Sequence, residues 1–348
     1  MAKYLDQQIL LIVQDGQGIE QGCDGVLTLD SGPLFFSRLK RMSVGIFRIW
    51  RTVRREKPSI VHFHDPELIP LGLALRVTGV KVVYDVHEDV PRQTLGKEWI
   101  PKPVRRPVAW LAEMSEWVAG RALNGVVAAT PSIARRFPEK KTVIVQNFPI
   151  LSELVMPHPV PYAKRSPHFA YVGGVTPIRG AKEMVEGVSK TAHPEARLQI
   201  GGNVLPPGLE EQLKKADVGG RVSFLGWVNR SQVAELLGSV RAGLVLFHHA
   251  PNHTNAQPNK LFEYMAASLP VIASHFPLWR EIIDGVGCGL LVDPEDSEAI
   301  ARAMDWLLDN PEEAEAMGQR GREAVERIYN WESESGTLVR FYREKLGV

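Results

Sequence analysis

The stretch from residue 258 to 274, PNKLFEYMAASLPVIAS, combines residue types that suit the binding of an anion. Its leading proline favours a helix start, which either Gln257 or Asn259 is predicted to cap. The free backbone N–H groups of such a start attract anions. Lys260 adds positive charge, and Glu263 follows one turn later on the same helix face. The segment therefore predicts a phosphate site with a carboxylate placed for ribose hydroxyls.

A second segment, YVGGVTPIRG at residues 171–180, reads as a strand followed by a glycine loop. Gly173 and Gly174 let a ligand approach the backbone closely. Arg179 has the planar guanidinium that suits bidentate contact with a diphosphate. The alternative is an ordinary glycine-rich turn with a solvated arginine, which binds no ligand. The two segments together favour one phosphate site at two strand–helix junctions.

Two further strand ends in the first half carry histidines and carboxylates, VHFHD at residues 61–65 and YDVHE at residues 84–88. Strand ends of this kind line the ligand crevice in doubly wound sheets. His62 is predicted to point away from His64, because successive strand side chains alternate. The spacing matches no zinc motif, so no metal site is predicted.

Strand-like runs alternate with helical patterns along the whole chain, which predicts parallel α/β layers. A proline-rich stretch, residues 149–167, separates two series of runs and reads as a linker. The predicted strands are Ile9–Val13, Gly25–Leu29, Ile60–Phe63, Lys81–Val86, Gly125–Ala129, Thr142–Val145, Phe169–Val172, Arg197–Ile200, Val222–Leu225, Ala242–Phe247, Pro270–Ala273 and Gly289–Val292.

The segments 171–180 and 258–274 together resemble the donor site of family-4 glycosyltransferases, which are retaining enzymes with the GT-B fold. The resemblance implies an α/β protein of two facing Rossmann-like domains with parallel sheets and a cleft between them. The implied domains are an acceptor domain over 1–150, a linker over 151–167, a nucleotide-sugar donor domain over 168–330, and a C-terminal helix over 331–348 that crosses back to the first domain.

The resemblance also assigns roles to residues of this chain. It implies His87, Arg179 and Lys260 as catalytic residues, with His87 touching the transferred sugar. This sequence departs from the family pattern at Gly174, where an Arg is usual, and at Asn255, where a Glu is usual. The implied donor-binding residues are Gly173, Gly174, Arg179, Gly202, Trp227, Asn255, Asn259, Lys260, Leu261 and Glu263.

Only Met1–Gln8 precede the strand Ile9–Val13, whereas GT-B chains usually place a strand, a glycine loop and a helix before it. We therefore expect the first βα unit to be missing from this chain. The expected consequence is an exposed sheet edge or a gap that a partner fills.

Bulk composition places the chain among ordinary globular proteins. It has 348 residues, 44% hydrophobic and 23% charged, which suggests two domains. Cys23 and Cys288 cannot build a disulfide framework, and no early apolar run is long enough for a signal peptide. These features predict a cytoplasmic protein, and we expect no nucleic-acid partner.

The net charge of +1 hides a difference between the halves. Residues 1–150 hold 21 Lys and Arg against 15 Asp and Glu, and the basic excess concentrates in Arg38–Lys57. A basic helix with Val44, Phe47 and Trp50 on its apolar face can lie on the anionic inner face of a membrane. The favoured alternative is a surface helix that packs this face on its own sheet. For a second tryptophan cluster, Trp99, Trp110 and Trp117, buried packing is likewise favoured over an acceptor or membrane surface.

The function that follows from the resemblance is metal-independent, retaining transfer of a sugar from a nucleoside-diphosphate sugar to a hydroxyl of a glycan or lipid-linked acceptor. We expect a UDP-sugar rather than a GDP-sugar, no cofactor, and a place in cell-envelope polysaccharide synthesis. Two alternatives stay open: a sugar-nucleotide epimerase of the same fold, and a non-catalytic protein that binds nucleotide sugars.

Overall fold

The protein is described by a computed structural model that divides into two compact units, Met1–Gln146 with Glu334–Val348, and Asn147–Ser333. Asn255, Trp99 and Cys23 lie outside the described residues. The described residues are 5, 7–18, 20–21, 25–35, 37, 40–97, 100–153, 160–250, 253–254 and 256–348.

The first unit contains two sheets. Its strands are β1 Ile9–Val13, β2 Glu20–Gln21, β3 Val26–Asp30, β4 Ile60–Phe63, β5 Lys81–Val86, β6 Gly125–Ala128 and β7 Thr142–Ile144. Its helices are α1 Ile46–Glu56, α2 Ile69–Val77, α3 Val90–Gly96, α4 Lys102–Ala122 and α5 Pro131–Ala134. The strand orders are β1-β3-β2, where only β2 runs antiparallel, and an all-parallel β4-β5-β6-β7.

The core of the first unit forms around β5, because its run Val82–Val86 is buried on both faces as expected for a central parallel strand. Phe63 stacks on Tyr84 with ring centroids 5.1 Å apart. Gly72 of α2 lies against this pair, since a Cβ there would come within 2.6 Å of the Phe63 ring. The close helix–strand approach fixes the ends of β4 and β5, where the histidine motifs lie.

Strands β1 and β4 belong to different sheets, and both line one cavity of about 590 Å³. Apolar side chains of β1, α1 and α2 make up much of its wall. Among the described residues, no strand pairs with the outer edge of either β1 or β4. Each of the two strands is therefore a terminal strand of its sheet in the described structure, and the missing βα unit stays a prediction.

The second unit is built on one six-stranded parallel sheet with the order β10-β9-β8-β11-β12-β13. Its strands are β8 His168–Val172, β9 Arg197–Gly201, β10 Val222–Gly226, β11 Ala242–Val245, β12 Val271–Ser274 and β13 Gly289–Val292. Its helices are α6 Ala181–Lys190, α7 Leu209–Ala216, α8 Arg230–Ser239, α9 Asn259–Ala266, α10 Pro277–Val286, α11 Ser297–Asp309 and α12 Pro311–Arg327.

The last helix, α13, spans Trp331–Phe341, and its residues from Glu334 onward belong to the first unit. There the Phe341 ring fills the space beside Gly125 of β6, where a Cβ would come within 2.4 Å of it. Tyr342 follows in a short π-helical turn, Tyr342–Leu346, and is also buried.

All twelve predicted strands are present, with bounds that shift by at most two residues. The short β2 was missed, because two residues without apolar alternation give no strand signal. No helix in the described part of the chain has the length and apolar character needed to span a bilayer.

Candidate active site

The order of strands in the second sheet reverses between β8 and β11, which are paired neighbours. Because parallel strands end at the same edge, the loops after β8 and β11 leave this edge side by side. The His248 N–H donates to the Ile178 carbonyl oxygen at 2.9 Å and ties the two loops together. Such a switch point is where open α/β sheets bind ligands.

Gly173 and Gly174 begin the loop after β8. Gly173 has a φ of +122°, which favours glycine, and its N–H donates to the Gly201 carbonyl at 2.8 Å. A Cβ on Gly173 would lie 3.2 Å from Lys260 Nζ. A Cβ on Gly174 would lie 2.9 Å from Arg179 Nη1. The absence of side chains at these two positions makes room for both cations.

Lys260 lies in the first turn of α9 and is only 8% exposed. Its ammonium lies 3.6 Å from the centroid of the Tyr171 ring, and Nζ has no hydrogen-bond partner among the described residues. Burial, reinforced by the nearby Arg179 and only partly opposed by Glu263, holds the pKa of Lys260 well below its ordinary value. A buried ammonium without an acceptor is costly, so this position favours the arrival of an anion.

Arg179 lies across the same loop. Its Nη1 donates to the Gly174 carbonyl at 3.1 Å, and its guanidinium carbon lies 5.5 Å from the Phe247 ring centroid. Only one of the five guanidinium N–H donors is accounted for by this hydrogen bond. The loops after β8 and β11 therefore bring Arg179 and Lys260 together, as the sequence predicted.

The start of α9 differs from the predicted cap. Pro258 is the residue before the first turn, and no side chain caps the helix, so the prediction that Gln257 or Asn259 caps it is wrong. Gln257 Oε1 is buried without a hydrogen-bond partner in the described structure. Asn259 is exposed, whereas the Leu261 side chain is fully buried in the core. Any ligand contact of Leu261 must come through its backbone.

Glu263 is 12% exposed and accepts a hydrogen bond of 2.6 Å from Arg230 at the start of α8. Arg230 also lies 3.8 Å from the Glu153 carboxylate. The carboxylate predicted to take ribose hydroxyls is thus already held by one cation through Oε1. Arg230 could not be predicted as a partner of Glu263, because a basic first-turn residue is common on surface helices.

Gly202 supports the glycine loop from the neighbouring strand end. Its φ is +140°, and its N–H donates to the Gly226 carbonyl at 2.6 Å. A Cβ on Gly202 would lie 2.0 Å from the Gly173 carbonyl oxygen, so the two backbones are in direct contact. Trp227 comes next after Gly226 and is 71% exposed. Its exposed indole is available for stacking, and the implied contact of Trp227 with the donor stays a prediction.

In the first unit, the ends of β4 and β5 bring three histidines around Asp85. The carboxylate lies 2.9 Å from His62 Nε2, 3.3 Å from His64 Nδ1 and 3.4 Å from His87 Nε2. His64 Nδ1 and His87 Nε2 are hydrogen bonded at 2.7 Å. On its other side, His62 Nδ1 lies 2.6 Å from the Tyr342 hydroxyl. The expectation that His62 points away from His64 is wrong, because both rings converge on Asp85.

The charge of Asp85 organises this cluster. Its burial opposes ionisation, but hydrogen bonds from His62, His64 and His87 outweigh that effect and hold the pKa of Asp85 well below its ordinary value. The hydrogen bond to Asp85 in turn raises the pKa of His87 against the effect of burial. Burial also raises the pKa of Tyr342, so its hydroxyl stays protonated and donates to His62.

Asp85 was missed as a site residue, although the sequence carried a signal for it. It is the one carboxylate in the otherwise apolar run Val82–Val86. A charged residue in a buried strand needs partners, which here are histidines from the ends of two strands. The ligand atoms of His62, His64 and Asp85 lie within 4.8 Å of one another, a geometry that offers three ligands to a metal ion. The absence of a metal stays a prediction.

Comparison with known proteins is consistent with this architecture. Residues 14–146 match the family model for a glycosyl transferase 4-like domain, and residues 159–324 match that for glycosyl transferases group 1. The MMP alpha-(1->4)-mannosyltransferase of Mycolicibacterium hassiacum is 24% identical over 310 residues, covering 81% of this chain and 70% of the relative.

Two solved structures show the same fold. Sucrose-phosphate synthase from Thermosynechococcus elongatus superposes with a TM-score of 0.78 at 20% identity, covering 98% of this chain and 89% of that one. HepE from Anabaena, solved in complex with UDP, has a TM-score of 0.71 at 12% identity and covers 96% and 99%. The chain is therefore a glycosyltransferase with the GT-B fold and belongs to the family-4 glycosyltransferases.

Proposed function

We propose that this glycosyltransferase moves a hexosyl or N-acetylhexosaminyl group from a nucleoside-diphosphate sugar to a hydroxyl of a glycan or lipid-linked acceptor, with retention at the anomeric carbon. The observation that carries the proposal is the buried, unpartnered ammonium of Lys260 beside Arg179 at the sheet's switch point. A diphosphate supplies negative charge beside both side chains, an acceptor oxygen for Lys260 Nζ and further acceptors for the Arg179 guanidinium. UDP is favoured over GDP as the leaving group, and the UDP complex of HepE supports that choice.

The chemistry assigned to this site is stabilisation of the departing diphosphate. As the bond between the sugar and the diphosphate breaks, negative charge grows on the terminal phosphate oxygens. Lys260, Arg179 and the free N–H groups at the start of α9 are placed to receive it. Because Lys260 is buried and Arg179 is held by the Gly174 carbonyl before the reaction, they need little rearrangement as charge develops. We accordingly propose that transfer needs no metal ion.

Nucleoside recognition is assigned to Glu263. Arg230 holds Oε1 of this carboxylate, which fixes its orientation and leaves Oε2 for ribose hydroxyls. Asn255 is proposed to contact the donor sugar through its amide, and Trp227 to stack on the base. These three roles follow the family resemblance.

His87 is assigned to contact with the transferred sugar, again from the resemblance. Asp85 holds His87 by a charged contact, so the ring enters the reaction already oriented and with a raised pKa. Retention of configuration is likewise proposed from the family resemblance, and no carboxylate is assigned as a nucleophile.

Helix α1 supports a peripheral position on the inner face of a membrane within polysaccharide synthesis. In the described part of Arg38–Lys57, Ile49 and Val53 face the core, whereas Phe47 and Trp50 are exposed. The expected packing of Phe47 and Trp50 on the sheet is therefore wrong. Exposed cations surround them, namely Lys40, Arg51, Arg54, Arg55 and Lys57. Cations with exposed aromatic rings favour an anionic lipid surface.

Isothermal titration calorimetry with UDP, GDP and their sugar conjugates tests the proposal. We expect UDP to bind, the variant Lys260→Met to bind it far more weakly, and Lys214→Met to match the wild type, since Lys214 is an exposed lysine paired with Glu210 on α7. Nucleotide release from UDP-sugars is expected to persist in EDTA. Absence of binding by every nucleotide would contradict the proposed function.

A further inference from the structure

Helix α4 has its apolar side turned toward solvent. Its 21 residues bury only a narrow strip, Ala109, Glu116, Ala119 and Gly120. A surface helix normally buries its apolar face and exposes its polar one. On α4 the inward strip is made of small residues and one carboxylate, which pairs with Arg136. The large apolar side chains must therefore lie elsewhere on the helix.

These side chains form a continuous stripe on the outward face. Leu111 is 60% exposed, Trp110 59% and Trp117 46%. Spacings of four, three and seven residues place Val104, Val108, Leu111 and Val118 along one line of the helix, with both tryptophans beside it. The stripe is about 21 Å long at 1.5 Å per residue. Single exposed apolar residues are ordinary, but a contiguous patch of this kind marks an interaction site.

Charges at the ends of the stripe indicate what covers it. Lys102 and Arg106 are exposed near the start of α4, and Arg121 near its end. The Arg121 guanidinium lies 3.9 Å from the Trp117 ring centroid and donates to the Trp117 carbonyl. Glu113 is the only exposed carboxylate of this helix. Cations that flank tryptophans and aliphatic side chains match the headgroup region of an anionic bilayer.

We propose that the outward stripe of α4 is a second lipid-contacting surface, which lies in the headgroup and upper acyl region of an anionic membrane. This surface is distinct from α1, and the sequence had favoured buried packing for its tryptophans. Because α1 belongs to the same unit and exposes the same mixture of aromatic and cationic side chains, a bilayer is favoured over a protein partner. The proposal does not depend on which sugar the enzyme transfers.

Vesicle co-sedimentation of the full chain tests this surface. We expect binding to phosphatidylcholine vesicles that contain phosphatidylglycerol, and much weaker binding to pure phosphatidylcholine. The double variant Trp110→Ser with Leu111→Ser is expected to lose about tenfold or more of the binding, because two of the most exposed anchors are removed. The matched control is Val77→Ser with Val218→Ser, which removes two apolar side chains outside α4 that are 88% and 91% exposed.

The outcomes separate this proposal from its rivals. Equal vesicle binding by the double variant and the wild type would overturn it, as would absence of binding to anionic vesicles. A concentration-dependent dimer that the double variant abolishes would show that a second copy covers the stripe, which also overturns it. UDP calorimetry on the same double variant checks that the second unit is intact. Vesicle binding without UDP binding would count against the proposed function alone.

Discussion

The substitution Lys260→Met tests whether Lys260 binds a ligand or stabilises the fold. Methionine keeps the length and apolar stem of lysine but removes the ammonium. Two effects on the free protein oppose each other. Relief of an unsatisfied buried group contributes about 1–3 kcal/mol, while loss of the contact with the Tyr171 ring at 3.6 Å costs about 2 kcal/mol. We expect a net change in unfolding free energy of about 1 kcal/mol or less, which is a Tm shift of about 2–4 °C.

The effect on UDP binding is expected to be much larger. A hydrogen bond to a charged group contributes about 1.5–3 kcal/mol, so losing it lowers affinity about 10- to 150-fold. Calorimetry measures the affinity directly, and the Tm gain produced by a fixed UDP concentration gives an independent readout. Lys214→Met, which removes an exposed ammonium of the same unit, is expected to leave both values unchanged.

The reasoning is refuted if Lys260→Met binds UDP as the wild type does. A variant that loses several kcal/mol of stability but keeps its affinity would identify Lys260 as a structural residue. Neither result can be explained by a buried ammonium that a diphosphate neutralises.

Further outcomes follow from the same geometry. Because the folded protein lowers the pKa of Lys260, it binds fewer protons there than the unfolded chain. Stability is therefore expected to rise, and UDP affinity to fall, as the pH rises through that lowered pKa. Lys260→Met should flatten both pH profiles in calorimetry. The variant Asp85→Asn removes the contact that raises the pKa of His87, so NMR titration of the ring should give a lower pKa; an unchanged value would exclude this coupling. Gly202→Ala is expected to destabilise by about 3 kcal/mol or more in denaturant unfolding because its Cβ meets backbone, whereas Gly208→Ala, with φ +85° and open space, should cost about 1 kcal/mol; equal losses would contradict this packing. Nucleotide release should be the same in EDTA as in buffer, and loss of release that added metal restores would contradict metal-independent transfer.

The strands could be predicted because buried strands of parallel α/β sheets are short apolar runs, which the local sequence shows directly. Short apolar runs such as Gly125–Ala128 and Ala242–Val245 are buried on both faces, so hydrophobicity alone locates them. The glycine loop was also legible, since Gly173 and Gly202 occupy backbone conformations that favour glycine. The contact between Gly173 and Gly202 could not be predicted, because it depends on how the ends of two strands align.

Side-chain contacts between residues distant in the chain could not be predicted from the sequence. Nothing local says that Arg230 reaches Glu263 across 33 positions, or that Tyr342 reaches His62 across 280. Both contacts arise only after helices have packed on their sheets. The Asp85 cluster was partly visible, because a carboxylate in an apolar strand requires compensation.

Helix faces were misjudged for a related reason. An amphipathic pattern indicates which residues are apolar, but it does not say which face the protein buries. In α1 and α4 the core takes up the smaller side chains, and the aromatic side chains of Phe47, Trp50, Trp110 and Trp117 remain exposed. A rule that sends every apolar face inward therefore fails for α1 and α4.

The central claim is that the switch point of the second sheet binds the diphosphate of a sugar donor for transfer. Its most direct test is nucleotide release from a panel of UDP-sugars and GDP-sugars, measured with the wild type and with Lys260→Met. The account predicts release of UDP by the wild type from at least one UDP-sugar, and strongly reduced release by the variant. Release that is equal in both proteins, or no release with any donor and any acceptor glycan, would contradict it.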